Sequence, residues 1–252
     1  MSHAFDSARR KLERAGRHFS DLERAISEFT WKRPYEAVIE PHPTKNDHTV
    51  HKIRLTSTLP PIIADTCGEI VQGLRSSLDN ATYAIAVAAG KTDPKHCAFP
   101  FARNRDQMAN ALGRAKDLPS EIQSLLVGFQ PFIGGNDLLW SLNEMCNADK
   151  HRMVIPVGAP VQRTGVSIHG TGFFSMPDPH IWDREKNEME LFTLGPGATT
   201  NAHFELALSV AIQGVEIVDG KPVMQVLMPL GVLVERMLDT IEFESKRLGY
   251  VT

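Results

Sequence analysis

Apolar residues between positions 3 and 30 recur at intervals of three, four or seven: Phe5, Leu12, Phe19, Leu22, Ile26 and Phe29. That spacing puts them on one side of an amphipathic helix, with the intervening Arg and Glu on a solvated face. Two short strands are predicted next, at 35–40 and 49–56, separated by the polar run from Pro41 to Asp47. Pro60-Pro61 then opens the strongest helical pattern, about 61–89, because proline fits the first turn of a helix. Its buried stripe runs through Ile63, Cys67, Ile70, Leu74, Leu78, Ala81, Ile85 and Ala88, and Gly90 ends it. Two shorter helices are predicted near 104–115 and 119–128, the second beginning at Pro119. Gly134-Gly135-Asn136-Asp137 supplies a break and an N-cap for another helix at about 138–151.

From Met153 the period changes. The segments 153–157, 161–169, 188–194 and 203–212 alternate or are β-branched, with Gly and Pro between them. Segments 215–218 and 221–227 predict a hairpin around Asp219-Gly220, since Asp-Gly suits the positive φ angles of a type I′ turn. A last helix is expected after Pro229, with Leu230, Val234, Met237 and Ile241 on one side. Helices, then strands, then a helix predict an α+β fold rather than an alternating parallel sheet. The expectation is a single domain over 1–252, helical at about 1–30, 60–152 and 229–250. A mostly antiparallel, strand-rich part takes about 35–56 and 153–227.

A chain of 252 residues with 27 Lys+Arg against 30 Asp+Glu carries a formal charge of -3, which excludes DNA binding by bulk positive charge but leaves room for a local basic patch. Cys67, Cys97 and Cys146 are odd in number, far apart and free of any CxxC pair, so a reducing, cytoplasmic setting is expected. The first 19 residues are charged throughout and lack the apolar core of a signal peptide. The apolar stretch 80–90 is about half the ~20 residues a membrane helix needs, so no membrane partner is expected.

The standard phosphate-loop, dinucleotide, zinc-protease and nucleophile-elbow motifs are absent. His42, His48 and His51 with Asp47 form a loop cluster that reads as solvated hairpin histidines rather than a metal site, and no metal or cofactor is expected. Two segments carry more chemistry. In 74–80, Arg75 and Asp79 are four apart on one helix face beside an apolar stripe, where a guanidinium must find acceptors or stay wet. They form either a core ion pair or a rigid site for phosphate or carboxylate. In 143–152, Asp149 continues the apolar line of Leu138, Leu142 and Met145 and so needs a partner, for which Arg75 is the expected one. Asn143, Asn147 and His151 make a polar stripe beside it, and Lys150, His151 and Arg152 are expected at the helix C-terminus, where the dipole favours cations.

The helix LRSSLDNATYAIA, the Phe99-Pro100-Phe101 segment, the turn from Phe129 to Phe132 and the helix LWSLNEMCNADKHR occur in this order. In that arrangement the chain resembles a bacterial family with LRSxLDH-type and DKHR motifs, itself similar to the HEPN helical superfamily. The resemblance covers roughly residues 60–157 and implies a helical HEPN-like bundle, a homodimer and metal-independent cleavage of RNA through an Arg-x(4–6)-His motif. Arg75 matches that motif, but Asn80 stands where it places histidine, and an amide cannot shuttle a proton. His151 is the residue able to substitute, since histidine titrates near neutral pH. Three readings stay open. One is a ribonuclease of toxin or phage-defence type, with Arg75, His151 and Arg152 catalytic and Asp79, Asn80, Asn143, Asn147, Asp149 and Lys150 holding substrate. The second is a non-catalytic module for a nucleotide, nucleic acid or protein. The third is a structural Arg/Asp network.

Overall fold

A computed structural model describes residues 4–148, 154–160, 168–170, 172–177, 181–200 and 206–251. The fold is α+β with antiparallel pairing in its main sheet. By its internal contacts the chain divides into two compact units: residues 1–24, 61–154 and 212–252 form one, and residues 25–60 and 155–211 form the other.

The first unit is helical. Helix α1 (Asp6–Trp31) gives it its first nineteen residues, and α2 (Pro61–Ala88) is the long central helix. Fourteen residues of α2 are buried, the predicted stripe among them except Ala88. The α1–α2 approach is close at Gly73, where a Cβ would stand 3.1 Å from the Ala15 Cβ. The segment after Phe101 is broken into a 3-10 turn (Arg105–Gln107), the short α3 (Met108–Ala111) and a second 3-10 turn (Leu112–Ala115), rather than one helix. Helix α4 (Ser120–Gly128) follows. Helix α5 (Asp137–Asn147) begins as predicted: the Asn136 side chain accepts from the Leu139 N–H at 3.0 Å and caps the first turn. It ends earlier than expected, because Ala148 turns to an extended ψ of 151°. The last turn of α5 holds no basic residue, and Lys150, His151 and Arg152, expected at its C-terminus, lie outside the described residues.

The second unit holds the main sheet. Strands β1 (Tyr35–Pro41) and β2 (Thr49–Leu55) lie close to their predicted ranges. Next in the chain come β3 (Val154–Pro160), β4 (Ile168–Gly170), β5 (Phe174–Ser175), β6 (Trp182–Asp183), β7 (Glu188–Leu194), β8 (Ala198–Thr200) and β9 (Leu206–Ile212). The sheet runs β1-β2-β7-β5, with β6 also on β7; β3 pairs with β9 and β4 with β8. Ile53, Met189, Leu191, Phe192 and Leu194 form its core. Beside that core, Glu188 is 4% exposed and takes Lys52 Nζ and Arg54 Nη2 at 2.8 and 2.6 Å, while Glu40 bonds the same two cations at 2.8 and 2.7 Å. A buried carboxylate is tolerated there because both charge and hydrogen-bond partners meet it.

The expected hairpin at 215–227 is overturned. Gly220 has φ +75°, but Asp219 does not share the positive φ that a type I′ turn needs at both central positions. Asp219 instead accepts from the Gly214 N–H at 2.8 Å, closing a loop. Helix α6 (Val223–Arg247) starts six residues before Pro229, which lies inside it. Val223, Val226, Leu227, Leu230 and Val234 are all buried at three- and four-residue spacing, and that continuous stripe outweighs the proline. Helices α2, α4, α5 and α6 pack on one another around this core.

Candidate functional site

Arg75 is held by α2 with its side chain 14% exposed. Nε donates to Asp79 Oδ2 at 3.1 Å, Nη1 to Asn143 Oδ1 at 2.9 Å and Nη2 to the Phe99 carbonyl at 3.3 Å. Its guanidinium also lies over the Phe101 ring, 4.2 Å from the centroid. Asp79 Oδ1 accepts the Phe99 N–H at 2.8 Å. The Arg75–Asp79 pair thus satisfies both backbone groups of Phe99, a residue with no exposed surface, in a segment with no helix or strand to do so. The four-residue spacing along α2 makes that clamp possible. Asp149, the partner expected for Arg75, lies outside the described residues, as do Lys150, His151 and Arg152.

The same loop positions two further arginines. Ala98 donates to the Arg114 carbonyl at 2.9 Å, Ala102 to the Pro131 carbonyl at 3.2 Å, and Ile133 to the Arg103 carbonyl at 3.2 Å. These bonds pin the backbone while leaving the Arg103 and Arg114 side chains exposed. Among the described residues neither guanidinium has a carboxylate or hydrogen-bonding partner. Arg75, Arg103 and Arg114 line one cleft of about 720 Å³, shared with the carboxamides of Gln72, Gln107 and Asn110. Asn143 and Asn147 of α5 complete the wall, and among the described residues no Asp or Glu lines it.

Of the residues expected at a site, Arg75, Asn143 and Asn147 are therefore brought together, with Asp79 bound behind Arg75. Asn80 is not on that wall. It donates to Ser7 Oγ at 3.1 Å and lines a separate, apolar groove with Tyr83 and Val87. Sequence reasoning missed Arg103, Arg114, Gln72, Gln107 and Asn110. The available signal was that 98–116 holds four basic residues and one acid.

The loop histidines are each engaged locally. His42 Nδ1 accepts from the Thr44 and Lys45 N–H groups, both at 3.1 Å, and His48 Nδ1 stands 2.8 Å from the Asn46 carbonyl. The His51 ring stacks on Phe192 at 4.4 Å, and burial pushes its pKa below the ordinary value. Among the described residues no group of three or more His, Cys, Asp or Glu stands together to hold a metal ion, and no helix is long and apolar enough to cross a membrane.

No family model, curated protein or solved structure matches the chain.

Proposed function

We propose that the helical unit is a HEPN-like binding module that takes the phosphate groups of a nucleotide or an RNA segment in the arginine cleft. One observation carries the reading: three guanidiniums line a single cleft that has no carboxylate lining it among the described residues. Cations gathered in a concave wall raise the local concentration of anions, and of these three only Arg75 has a carboxylate partner, Asp79, among the described residues. A guanidinium matches phosphate oxygens with its planar fork, and the cleft's volume falls within the ~300–1,000 Å³ of small-molecule sites. Arg75 contributes a fixed charge, since three of its donors are already engaged. Arg103 and Arg114, which have no partner among the described residues, are the groups able to close on the ligand. The carboxamides add neutral donors and acceptors for sugar and base. The reading includes a homodimer and a cytoplasmic setting, and light scattering at micromolar concentration tests the dimer.

The test is binding of a fluorescent nucleotide and a short RNA at low and moderate salt, with the double variant Arg103→Ala/Arg114→Ala. The variant is expected to lose most of the affinity and to flatten the salt dependence. Wild-type protein that binds neither ligand at low salt ends the proposal.

A second reading, metal-independent RNA cleavage of toxin or phage-defence type, has one observation in its favour. Asn147, the last residue of α5, lines the cleft, and His151 follows it by four positions in the sequence. There His151 would act as general base or acid, with Arg75 and Arg152 stabilising charge on the phosphorus centre. Cleavage that survives a chelator and is abolished by His151→Ala supports it; cleavage retained by His151→Ala removes it.

A further inference from the structure

We infer that the arginine cleft is one end of a longer basic track, and that its ligand is a single-stranded RNA spanning two phosphate subsites. The inference rests on the reading of the cleft as a phosphate site, and it deepens that reading. A second, smaller pocket of about 210 Å³ lies between α1 and α2, lined by Lys11, Arg14, Glu69, Gln72 and Ser76. Gln72 lines both pockets, so the two adjoin across one exposed side chain. Ser76 is the next hydroxyl along the same path, 3.4 Å from Gln72 Nε2.

The close approach at Gly73 is what brings the cations of α1 to this path. A Cβ at that position would stand 3.5 Å from the Lys11 carbonyl as well as 3.1 Å from Ala15, so α1 lies directly against this turn of α2. Lys11 and Arg14 are exposed and have no carboxylate partner among the described residues; Arg14 Nε makes only a long 3.4 Å contact with His18 Nε2. The pocket's one carboxylate, Glu69, has His18 Nε2 at 3.1 Å from its Oε2. Two groups of cations thus flank Gln72: Arg75, Arg103 and Arg114 on one side, Lys11 and Arg14 on the other.

Such a division suits a repeating anion. The cations are divided between two pockets that meet at Gln72, an arrangement that offers separate places to successive phosphates. A strand supplies further phosphates along its length, and bases displayed between them meet carboxamides that hydrogen-bond base edges. A duplex would bring phosphates to those amides, but the Watson–Crick edges of its bases are already paired.

Fluorescence anisotropy with a labelled mononucleotide, a single-stranded RNA of about eight nucleotides and the same RNA as a duplex tests this. The single strand is expected to bind more tightly than the mononucleotide and the duplex. Lys11→Ala/Arg14→Ala is expected to weaken the single strand about tenfold more than the mononucleotide, and to lower its log–log salt slope by about 1.4, the value for two phosphate contacts on a single strand. Both side chains are exposed, so an unchanged melting temperature shows that the fold is kept. Equal affinity for mononucleotide and single strand, equal binding of the duplex, or an unaltered salt slope in the variant overturns the track while mononucleotide binding leaves the cleft reading standing. Failure of every ligand to bind removes both.

Discussion

Replacing Asp79 separates two roles that the clamp around Phe99 combines. In Asp79→Ala the Phe99 N–H, bonded to Oδ1 at 2.8 Å in a residue with no exposed surface, loses its acceptor. An orphaned buried donor costs about 1–3 kcal/mol. The Arg75–Asp79 ion pair is lost too, but the Asp79 side chain is 36% exposed, so solvent screening holds that part to about 0.5–1 kcal/mol. The sum is a destabilisation of about 1.5–4 kcal/mol. Asp79→Asn keeps an oxygen for the Phe99 N–H but loses the charge and the bond from Arg75 Nε, which then faces the amide NH2, for a cost of about 1 kcal/mol at this part-exposed position. With a urea slope of about 1–3 kcal/mol per molar, Asp79→Ala shifts the midpoint down by roughly 1 M and Asp79→Asn by well under half of that. The chain has two compact units, so the probe must report on one of them. Trp140 lies in the helical unit and Trp31 and Trp182 in the other, so a Trp31→Phe/Trp182→Phe background isolates the signal. Equal shifts from the alanine and asparagine variants would refute the reasoning, because the cost would then come from charge and not from the buried N–H.

Acid should weaken the sheet-bearing unit. Hydrogen bonds from Lys52 and then Arg54 hold the Glu40 carboxyl at about 2, below its ordinary 4.5, and Glu188 is lowered by the same pair against the opposing pull of burial. Because the folded values are depressed, this contribution is full above pH 4.5 and is lost as the pH falls toward 2; Glu40→Gln should flatten melting curves followed through Trp182 across that window, and an unchanged pH profile counts against the network. Thiol labelling of the native protein should be confined to Cys146, since burial pushes Cys67 up to about 12 and also raises Cys97, while Cys146 lines the cleft. A bound nucleotide should slow that labelling, and an unchanged rate at saturation would place the ligand elsewhere.

Much of the fold was legible because burial and period agree. The stripe from Ile63 to Ile85 is fully or nearly fully buried in α2, and the alternation at 188–194 became β7 with unchanged limits. The error at 215–229 has a definite origin. Val215, Val218, Val223 and Val226 are β-branched and flank Asp-Gly, and local strand preference pointed to a hairpin. The longer-range signal was the three- and four-residue spacing that begins at Val223 and continues to Ile241. Burial of that stripe overrode both the β-branched bias and a mid-helix proline, whose usual cost is about 3 kcal/mol. The two-residue strands β5 and β6 carry too few positions for any period to show.

The site was legible only where a helix fixed the geometry. Arg75 and Asp79 were found because four residues on a helix imply one face, and Asn143 and Asn147 because the same spacing repeats on α5. Arg103 and Arg114 sit on an irregular segment of turns and short helices, where spacing says nothing about direction. Their placement depends on backbone bonds from Ala98, Ala102 and Ile133, pairings distant enough in sequence that no local pattern announces them. The clamp links the two levels. The helical pair that was legible binds Phe99, and the loop leaving Phe99 carries Phe101 under the Arg75 guanidinium and then Arg103 into the cleft. Arg75 therefore serves the cleft twice, as a fixed charge in its wall and as the anchor of the loop that brings Arg103 to it, so loss of anion binding in Arg75→Ala would not by itself separate the two roles. Arg103→Ala does separate them, because its backbone bonds remain when its side chain is removed.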